Sequence, residues 1–159
     1  MSDYIRSTRG CAFGELRSEL QRAILEHART RDIANLESEI IQCCETKSEK
    51  KPGGWFAWLD DKSDQTVYAV ALYTADWLVW ARSGDVSGVS ITAAPLLTIQ
   101  ARPLASLFIR DQGLEISGYI GGSKSMARGY IGLGPEPAAQ QFCEGVMKAI
   151  DKINPPRKF

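Results

Sequence analysis

The stretch from Thr66 to Ser83 constrains the fold more than any other part of this sequence, because both of its faces are apolar. Val, Tyr and Trp, which favour strands, fill Thr66 to Tyr73 and Trp77 to Ser83, and the polar residues between them predict a turn. Successive side chains of a strand point to opposite faces. The faces of the second strand are therefore Trp77 with Val79, and Leu78 with Trp80. Such a hairpin needs a cover on each side, since large exposed apolar patches are unusual on a monomer.

Two amphipathic segments can supply these covers. Pro137 to Ile153 carries one apolar stripe at helical spacing, with prolines suited to the first turn, and predicts a C-terminal helix. The second stripe lies in the N-terminal part of the chain and is formed by Leu16, Leu20, Ile24, Ile33, Leu36 and Ile40. We expect it to pack on the remaining face, either within the chain or from a second copy.

The N-terminal region is predicted to be a helical segment from residue 13 to 45, in two helices or one kinked helix, with Asp32 as a candidate N-cap. Adjacent helical residues point about 100° apart, so one of Cys43 and Cys44 should be reachable by a thiol reagent. Residues 46–54 are charged and end in Pro-Gly-Gly, which predicts a linker.

The rest of the chain, residues 55–153, predicts six or seven antiparallel strands followed by the helix. Further strands are predicted at Leu107 to Ile109, Leu114 to Ile120 and Ala127 to Leu133. Val89 to Arg102 contains Pro95, which restricts it to an edge strand or to two short pieces. Helices, then a run of strands, then a helix is the α+β pattern. At 159 residues the chain fits a single domain, 1–159.

Several segments resemble bacterial pleckstrin-homology-like (PH-like) domains. They are YAVALYTADWLVWARSG from Tyr68, DQGLEISGYI from Asp111, RGYIGLG from Arg128 and AAQQFCEGVMKAI from Ala138. In the first segment, Thr74, Leu78 and Val79 occupy the positions of that family's strand-turn-strand. The resemblance covers about residues 55–153 and implies a bent sandwich or partial barrel closed by the last helix.

The family resemblance implies a binding module for phosphoinositides, peptides or other proteins. Its phosphoinositide binders carry basic residues in the loop after the first strand. The corresponding loop here, Asp60 to Asp64, is acidic, and carboxylates repel phosphates. Phosphoinositide binding through this loop is therefore not expected.

Composition restricts the class of partner. Nineteen basic and nineteen acidic residues balance, so the chain lacks the charge of a dedicated nucleic-acid binder. Its N-terminus lacks the apolar core of a signal peptide, and its most apolar stretch, Val67 to Ala81, is too short and too polar to span a bilayer. We expect a soluble cytoplasmic protein that is not integral to a membrane.

No catalytic or metal-binding constellation is visible. His27 is the only histidine and lies in a predicted surface helix. Asp60, Asp61 and Asp64 lack the spacing of a calcium loop and are interpreted as solvated turn residues. The four cysteines contain no C-x-x-C, and Cys143 is expected to pack as a small apolar residue. We predict no enzyme activity, cofactor or metal.

Gly118 to Ser125 differs from the phosphate-binding G-x-x-x-x-G-K-[ST] pattern by having Ser123 at the second glycine. A glycine-rich strand follows it instead of a helix, so GGSKS is predicted to be a hairpin tip. Lys124 and Arg128 remain candidates for a small anion-binding patch, and Trp80 and Trp58 are candidate aromatic residues for a ligand or partner.

The sequence therefore predicts a non-enzymatic binding or scaffold module for a protein partner or a small anionic ligand, with self-association possible through the N-terminal stripe. Two alternatives remain open: a secretion-chaperone-like protein binder, and a small hydrolase-type enzyme with carboxylate acid and base.

Overall fold

The structure is a computed structural model that describes residues 4–53, 63–105 and 112–156. The helices are α1 (Ser18–Thr30), α2 (Leu36–Glu39) and α3 (Pro137–Ile153), with 3-10 turns at Phe13–Glu15 and Leu96–Thr98. The strands are β1 (Tyr4–Gly10), β2 (Gln42–Lys50), β3 (Thr66–Tyr73), β4 (Trp77–Gly84), β5 (Gly88–Pro95), β6 (Ile99–Ala105), β7 (Gln112–Gly118) and β8 (Ala127–Leu133).

The strands form two antiparallel sheets. Sheet A contains five strands in the order β1-β2-β3-β4-β5, and sheet B contains three in the order β6-β7-β8. The predicted α+β class with a C-terminal helix is confirmed. The predicted total of six or seven strands is not matched, since the described residues form eight: six lie within residues 55–153, and β1 and β2 precede them. No helix in these residues is long and apolar enough to cross a bilayer.

Predictions for individual elements succeed where apolar periodicity is strong. The strand at Ala127–Leu133 and the helix at Pro137–Ile153 have the predicted bounds. Val89 to Arg102 forms the second of its two predicted alternatives, because β5 ends at Pro95 and β6 begins at Ile99. The predicted strand at Leu107 to Ile109 lies outside the described residues.

The prediction of a helical segment over residues 13–45 is wrong at its C-terminal end, and so is the linker prediction for residues 46–50. Gln42–Lys50 is the second strand of sheet A and pairs with β1 on one side and β3 on the other. Asp32 is not an N-cap: it follows α1 with φ of 55°, and Asn35 has the same φ before α2. The polar sequence of β2 does not predict a buried strand, because Thr46 and Ser48 are buried only by the neighbouring strands.

The expectation for Cys43 and Cys44 is also wrong. They are strand residues, so they point to opposite faces of sheet A, and both faces are covered. Their exposed fractions are 5% and 2%. Cys143 is partly buried against the core, as predicted.

The outer face of sheet A is covered by α1 of the same chain. Leu20 and Ile24 are fully buried against Leu72 and Val79, in a cluster that also includes Leu16, Ile33 and Leu36. The predicted cover for this face is therefore confirmed, and it is supplied within the chain.

The inner face of sheet A packs against sheet B and α3. Phe142 and Val146 of α3 are fully buried, and Phe142 meets Tyr73 of β3 edge-to-face with ring centroids 5.7 Å apart. Leu114 and Ile116 of β7 complete this core. Both predicted covers of the apolar hairpin are thus present.

Candidate functional site

The inner face of sheet A changes from apolar to polar along its strands. Three successive rows across β3, β4 and β5 show the change: Tyr73, Leu78 and Ala94; then Ala71, Trp80 and Thr92; then Ala69, Arg82 and Ser90. The first row lies in the core next to α3, and Arg82 and Ser90 of the last row are exposed. The polar end of this face is therefore not part of the core.

Strand β8 runs across the strands of sheet A. Its Gly129 lies against Trp80 of β4, and its Gly132 lies against Arg6 of β1. Strands β4 and β1 are separated by β3 and β2, which corresponds to roughly 14 Å. Because β8 is an edge strand of sheet B, sheet B ends there, and the polar end of sheet A extends beyond it.

This arrangement creates a cleft of about 280 Å³ between β8 and the inner face of sheet A. The cleft is lined by Trp80, Tyr130, Arg6 and Arg82, with hydroxyl groups from Ser48, Ser90 and Thr92. Among the described residues of its lining, two side chains are cationic and none is anionic. The small side chain of Ala69 leaves space between β2 and β4.

One end of the gap between β1 and β8 is closed by buried hydrogen bonds. The N–H of Gly134 donates to Thr8 Oγ1 at 2.7 Å, and the hydroxyls of Thr8 and Thr46 lie 2.7 Å apart. The N–H of Thr8 also donates to Glu136 Oε2 at 2.8 Å. These contacts hold the two sheets together beside α3, while the other end of the gap forms the cleft.

Arg82 lies beside a buried carboxylate. Its Nη2 lies 3.7 Å from Asp64 Oδ2, and its side chain is 54% exposed while that of Asp64 is 6% exposed. The oxygens of Asp64 accept short hydrogen bonds from the hydroxyl and N–H of Ser87 and the N–H of Val86. The contact with Arg82 is longer and the guanidinium side is exposed to solvent, so it is weak and does not prevent the guanidinium from binding an anion.

These hydrogen bonds lower the pKa of Asp64 to about 2, the Ser87 hydroxyl having the largest effect, followed by the N–H groups of Ser87 and Val86. The carboxylate lies over Gly84, where any side chain would collide with it. The prediction that Asp64 is a solvated turn residue is therefore wrong: it anchors the turn between β4 and β5. Asp60 and Asp61 lie outside the described residues.

The candidate site residues predicted from sequence occupy different places. Trp80 lines the cleft. Lys124 lies in the exposed connection between β7 and β8, and Arg128 is an exposed residue of β8, but neither lines the cleft. Trp58 lies outside the described residues. Their roles in binding stay predictions.

His27 is remote from this cleft. It lies on α1, which covers the opposite face of sheet A, and burial lowers its pKa. Within residues 4–53, 63–105 and 112–156, no group of three His, Cys, Asp or Glu residues could hold a metal ion.

Sequence analysis missed Arg6, Arg82, Ser48 and Tyr130. Arg6 shares an inward face with Tyr4 and Thr8, a strand pattern that the first ten residues contain but that is too polar to indicate burial. Arg82 follows Trp80 by two positions, so the period of a strand places both on one face. This two-residue spacing from Trp80 is the sequence signal that could have identified Arg82 as a cleft residue.

Comparison of this chain with known protein families, with curated proteins and with solved structures finds no match.

Proposed function

We propose that this protein is a non-enzymatic binding module whose cleft takes a small anionic ligand with a flat apolar part. One observation carries the proposal: guanidinium groups of Arg6 and Arg82 line the same cleft as the indole of Trp80. Guanidinium groups bind carboxylates, sulfonates and phosphates through charge-assisted hydrogen bonds. An aromatic face suits a planar apolar group.

The size and chemistry of the cleft support a small ligand. Its volume of about 280 Å³ is close to the lower end for small-molecule sites, roughly 300 Å³. Hydroxyl groups of Ser48 and Thr92 can orient polar substituents by donating or accepting hydrogen bonds. The described lining contains no carboxylate, histidine or cysteine, which supports binding without catalysis.

We also propose that residues 55–153 are related to PH-like domains. This relation is supported by two antiparallel sheets packed face to face and a C-terminal helix in their shared core. Relative to that resemblance, the chain adds β1, α1, α2 and β2 before it. Arg6 and Ser48 of the cleft come from this added segment, so a ligand site built with them would be particular to this chain.

A fluorescent aromatic sulfonate, 1-anilinonaphthalene-8-sulfonate, tests the proposal. We expect saturable binding that weakens with added salt, since the Arg side chains are exposed or half-exposed. Arg82→Gln should weaken binding about tenfold, the value of one charge-assisted hydrogen bond. Ala69→Leu should weaken it by filling the cleft.

The matched control is Arg22→Gln, which removes an exposed cation of α1, on the face of sheet A opposite to the cleft. Because this dye also binds partly unfolded protein, each variant must keep the wild-type circular dichroism and melting temperature before its affinity is compared. Equal dye affinity in wild type, Arg82→Gln and Ala69→Leu would refute the proposed site.

An extended acidic peptide is a second candidate ligand, favoured by the position of β8 at the edge of sheet B. An edge strand can pair with an added strand through its backbone groups. This candidate would be favoured by two results together. Acidic peptides selected for binding should protect the backbone amides of β8 from hydrogen exchange, and the sulfonate dye should not bind.

A further inference from the structure

Cys11 and Cys43 lie side by side on the face of sheet A that α1 covers. Cys11 follows the last residue of β1, and the pairing of Gly10 with Cys44 places it directly opposite Cys43. The N–H of Cys11 donates to the carbonyl oxygen of Cys43 at 3.1 Å, and the two sulfur atoms are 3.9 Å apart. All four cysteines of the chain lie in its described part and are free thiols.

This backbone arrangement suits a disulfide. Directly opposed residues of antiparallel strands have Cα atoms about 4.5 to 5.5 Å apart, which lies within the range that disulfides span. The sulfur atoms need to approach from 3.9 Å to about 2 Å, a change that side-chain rotation can supply. Directly opposed strand residues have Cβ atoms about 4.5 to 5.5 Å apart and a disulfide needs about 3.5 to 4.5 Å, so a small local approach of the two strands completes the bond.

The pair is also accessible from one side. Cys11 is partly exposed, whereas Cys43 is buried. Both line an open depression of about 410 Å³ beside Ile40, Ile41 and Gln141. A small disulfide reagent can therefore reach Cys11 first. Cys44 and Cys143 belong to the core on the opposite face of sheet A and do not line this depression.

We propose that Cys11 and Cys43 form a reversible disulfide by exchange with a low-molecular-weight disulfide such as oxidised glutathione. The Cys11 thiolate attacks one glutathione sulfur and releases the first glutathione as a thiolate. Cys43 then loses its proton to solvent and attacks the Cys11 sulfur, which releases the second glutathione. The two protein thiols are oxidised to one disulfide, and one oxidised glutathione is reduced to two thiols.

The electrostatics of the pair agree with this order of attack. The hydrogen bond with Cys43 lowers the pKa of Cys11, and the charge of Arg9 adds to this effect. The pKa of Cys43 is raised by its contact with Cys11 and by burial. Once Cys11 is part of a mixed disulfide it carries no negative charge. The charge of Cys11 then no longer raises the pKa of Cys43.

The bond would tie the end of β1 to the start of β2 and enclose residues 12–42, which include α1 and α2. Closing a loop of this length restricts the unfolded chain. We therefore expect the oxidised protein to melt roughly 5 °C or more above the reduced protein, and the difference to disappear when dithiothreitol is added.

Peptide mass spectrometry of the full chain tests the proposal. After incubation with oxidised glutathione and alkylation of the remaining thiols, trypsin should release residues 10–17 linked to residues 32–47. The mass should be two hydrogens below the sum of the two peptides when residues 32–47 carry one alkyl group, on Cys44. Cys43→Ala should abolish this cross-link, while Cys44→Ala and Cys143→Ala should retain it. Cys11→Ala, at a partly exposed position, should fold and should lose the rise in melting temperature.

Three outcomes would overturn the proposal. They are glutathione remaining on Cys11 without an internal bond, a cross-link that involves Cys44 or Cys143, and recovery of all four thiols after oxidation. Circular dichroism of each variant identifies any variant that fails to fold. If Cys43→Ala fails to fold, Cys11→Ala and Cys44→Ala still decide the result, because Cys44→Ala leaves Cys43 as the only thiol in residues 32–47.

Discussion

Asp64 accepts hydrogen bonds from both the hydroxyl and the N–H of Ser87, at 2.6 and 2.9 Å. The partners lie on either side of the β3–β4 hairpin, since Asp64 precedes β3 and Ser87 follows β4. Asp64 therefore anchors the turn that connects β4 to β5. The same carboxylate lies 3.7 Å from Arg82, so the anchored turn borders the cleft.

We expect Asp64→Asn to lower the melting temperature by a few degrees at neutral pH, because an amide accepts these hydrogen bonds less well than a carboxylate. The matched control is Asp76→Asn, an exposed residue of the β3–β4 turn, which should leave the melting temperature nearly unchanged. Thermal unfolding followed by circular dichroism measures both. Equal melting temperatures for Asp64→Asn and wild type would contradict the anchoring role.

The pH dependence of this contribution follows from the lowered pKa. Asp64 titrates at about 2 in the folded protein, compared with an ordinary value of 3.8. Its stabilising effect is therefore fully present above about pH 4 and is lost as the pH falls towards 2. Between these values the free energy of unfolding should decrease more steeply in wild type than in Asp64→Asn, as measured by denaturant unfolding. Parallel pH profiles would argue against the assignment.

The cover formed by α1 should contribute strongly to stability. Leu20 is fully buried between α1 and sheet A, and replacing a buried Leu by Ala removes about 2 to 5 kcal/mol. Arg22 lies two residues away and is exposed, so Arg22→Ala should change stability by less than about 0.5 kcal/mol. Urea unfolding measures both free energies. A small effect of Leu20→Ala would mean that α1 does not seal the sheet in solution.

Patterns of apolar residues predicted the fold wherever one element buries a continuous stripe. Examples are the apolar stripe of α3 and the two-sided apolar pattern of β3 and β4. The two-sided pattern predicted that both faces of sheet A are covered, and the structure has both covers. Strand β2 was missed because the residues that point inward near the cleft are Thr46 and Ser48, whose burial depends on both neighbouring strands. A local pattern does not contain that information.

The cleft was less predictable than the fold because it is created by the crossing of two sheets. Trp80 was proposed as a binding residue, but its neighbour across the cleft, Tyr130, is 50 positions away in sequence. Arg6 reaches the site only because β1 pairs with β2 and approaches β8. Such contacts depend on the angle between the sheets, which no single segment specifies.

The hydrogen bonds that join β1 to the end of β8 beside α3 should depend on the hydroxyl of Thr8. In Thr8→Val the N–H of Gly134 loses its acceptor and the hydroxyl of Thr46 loses its partner, both in a buried environment. We expect a loss of roughly 2 kcal/mol from these unsatisfied groups.

Denaturant unfolding of Thr8→Val, Thr46→Val and the double variant tests this. The double variant should lose less than the sum of the two single losses, because the hydroxyl contact is removed only once. Ser7→Ala, on the exposed face of the same strand, is the control and should be nearly neutral. Strictly additive losses would show that the two hydroxyls are not coupled.

Substitutions at two glycines, Gly113 and Gly132, should distinguish effects on the stability of sheet B from effects on ligand binding. A side chain at Gly113 of β7 would collide with the carbonyl oxygen of Ile131 in β8, which is backbone and cannot move without separating the strands. A side chain at Gly132 of β8 would lie 2.8 Å from Nε of Arg6, the end of a flexible side chain that can move away. The same substitution should therefore act on stability in one case and on the cleft in the other.

We expect Gly113→Ala to lower the free energy of unfolding by roughly 1 to 3 kcal/mol, as overpacking commonly does. Gly132→Ala should lower it by less than about 1 kcal/mol while it displaces Arg6 and weakens sulfonate binding several-fold. Urea unfolding gives the first quantity and dye titration of folded protein gives the second. If Gly132→Ala binds the sulfonate as tightly as wild type, the position of Arg6 over Gly132 does not matter for the ligand, and Arg82 alone would carry the charge recognition.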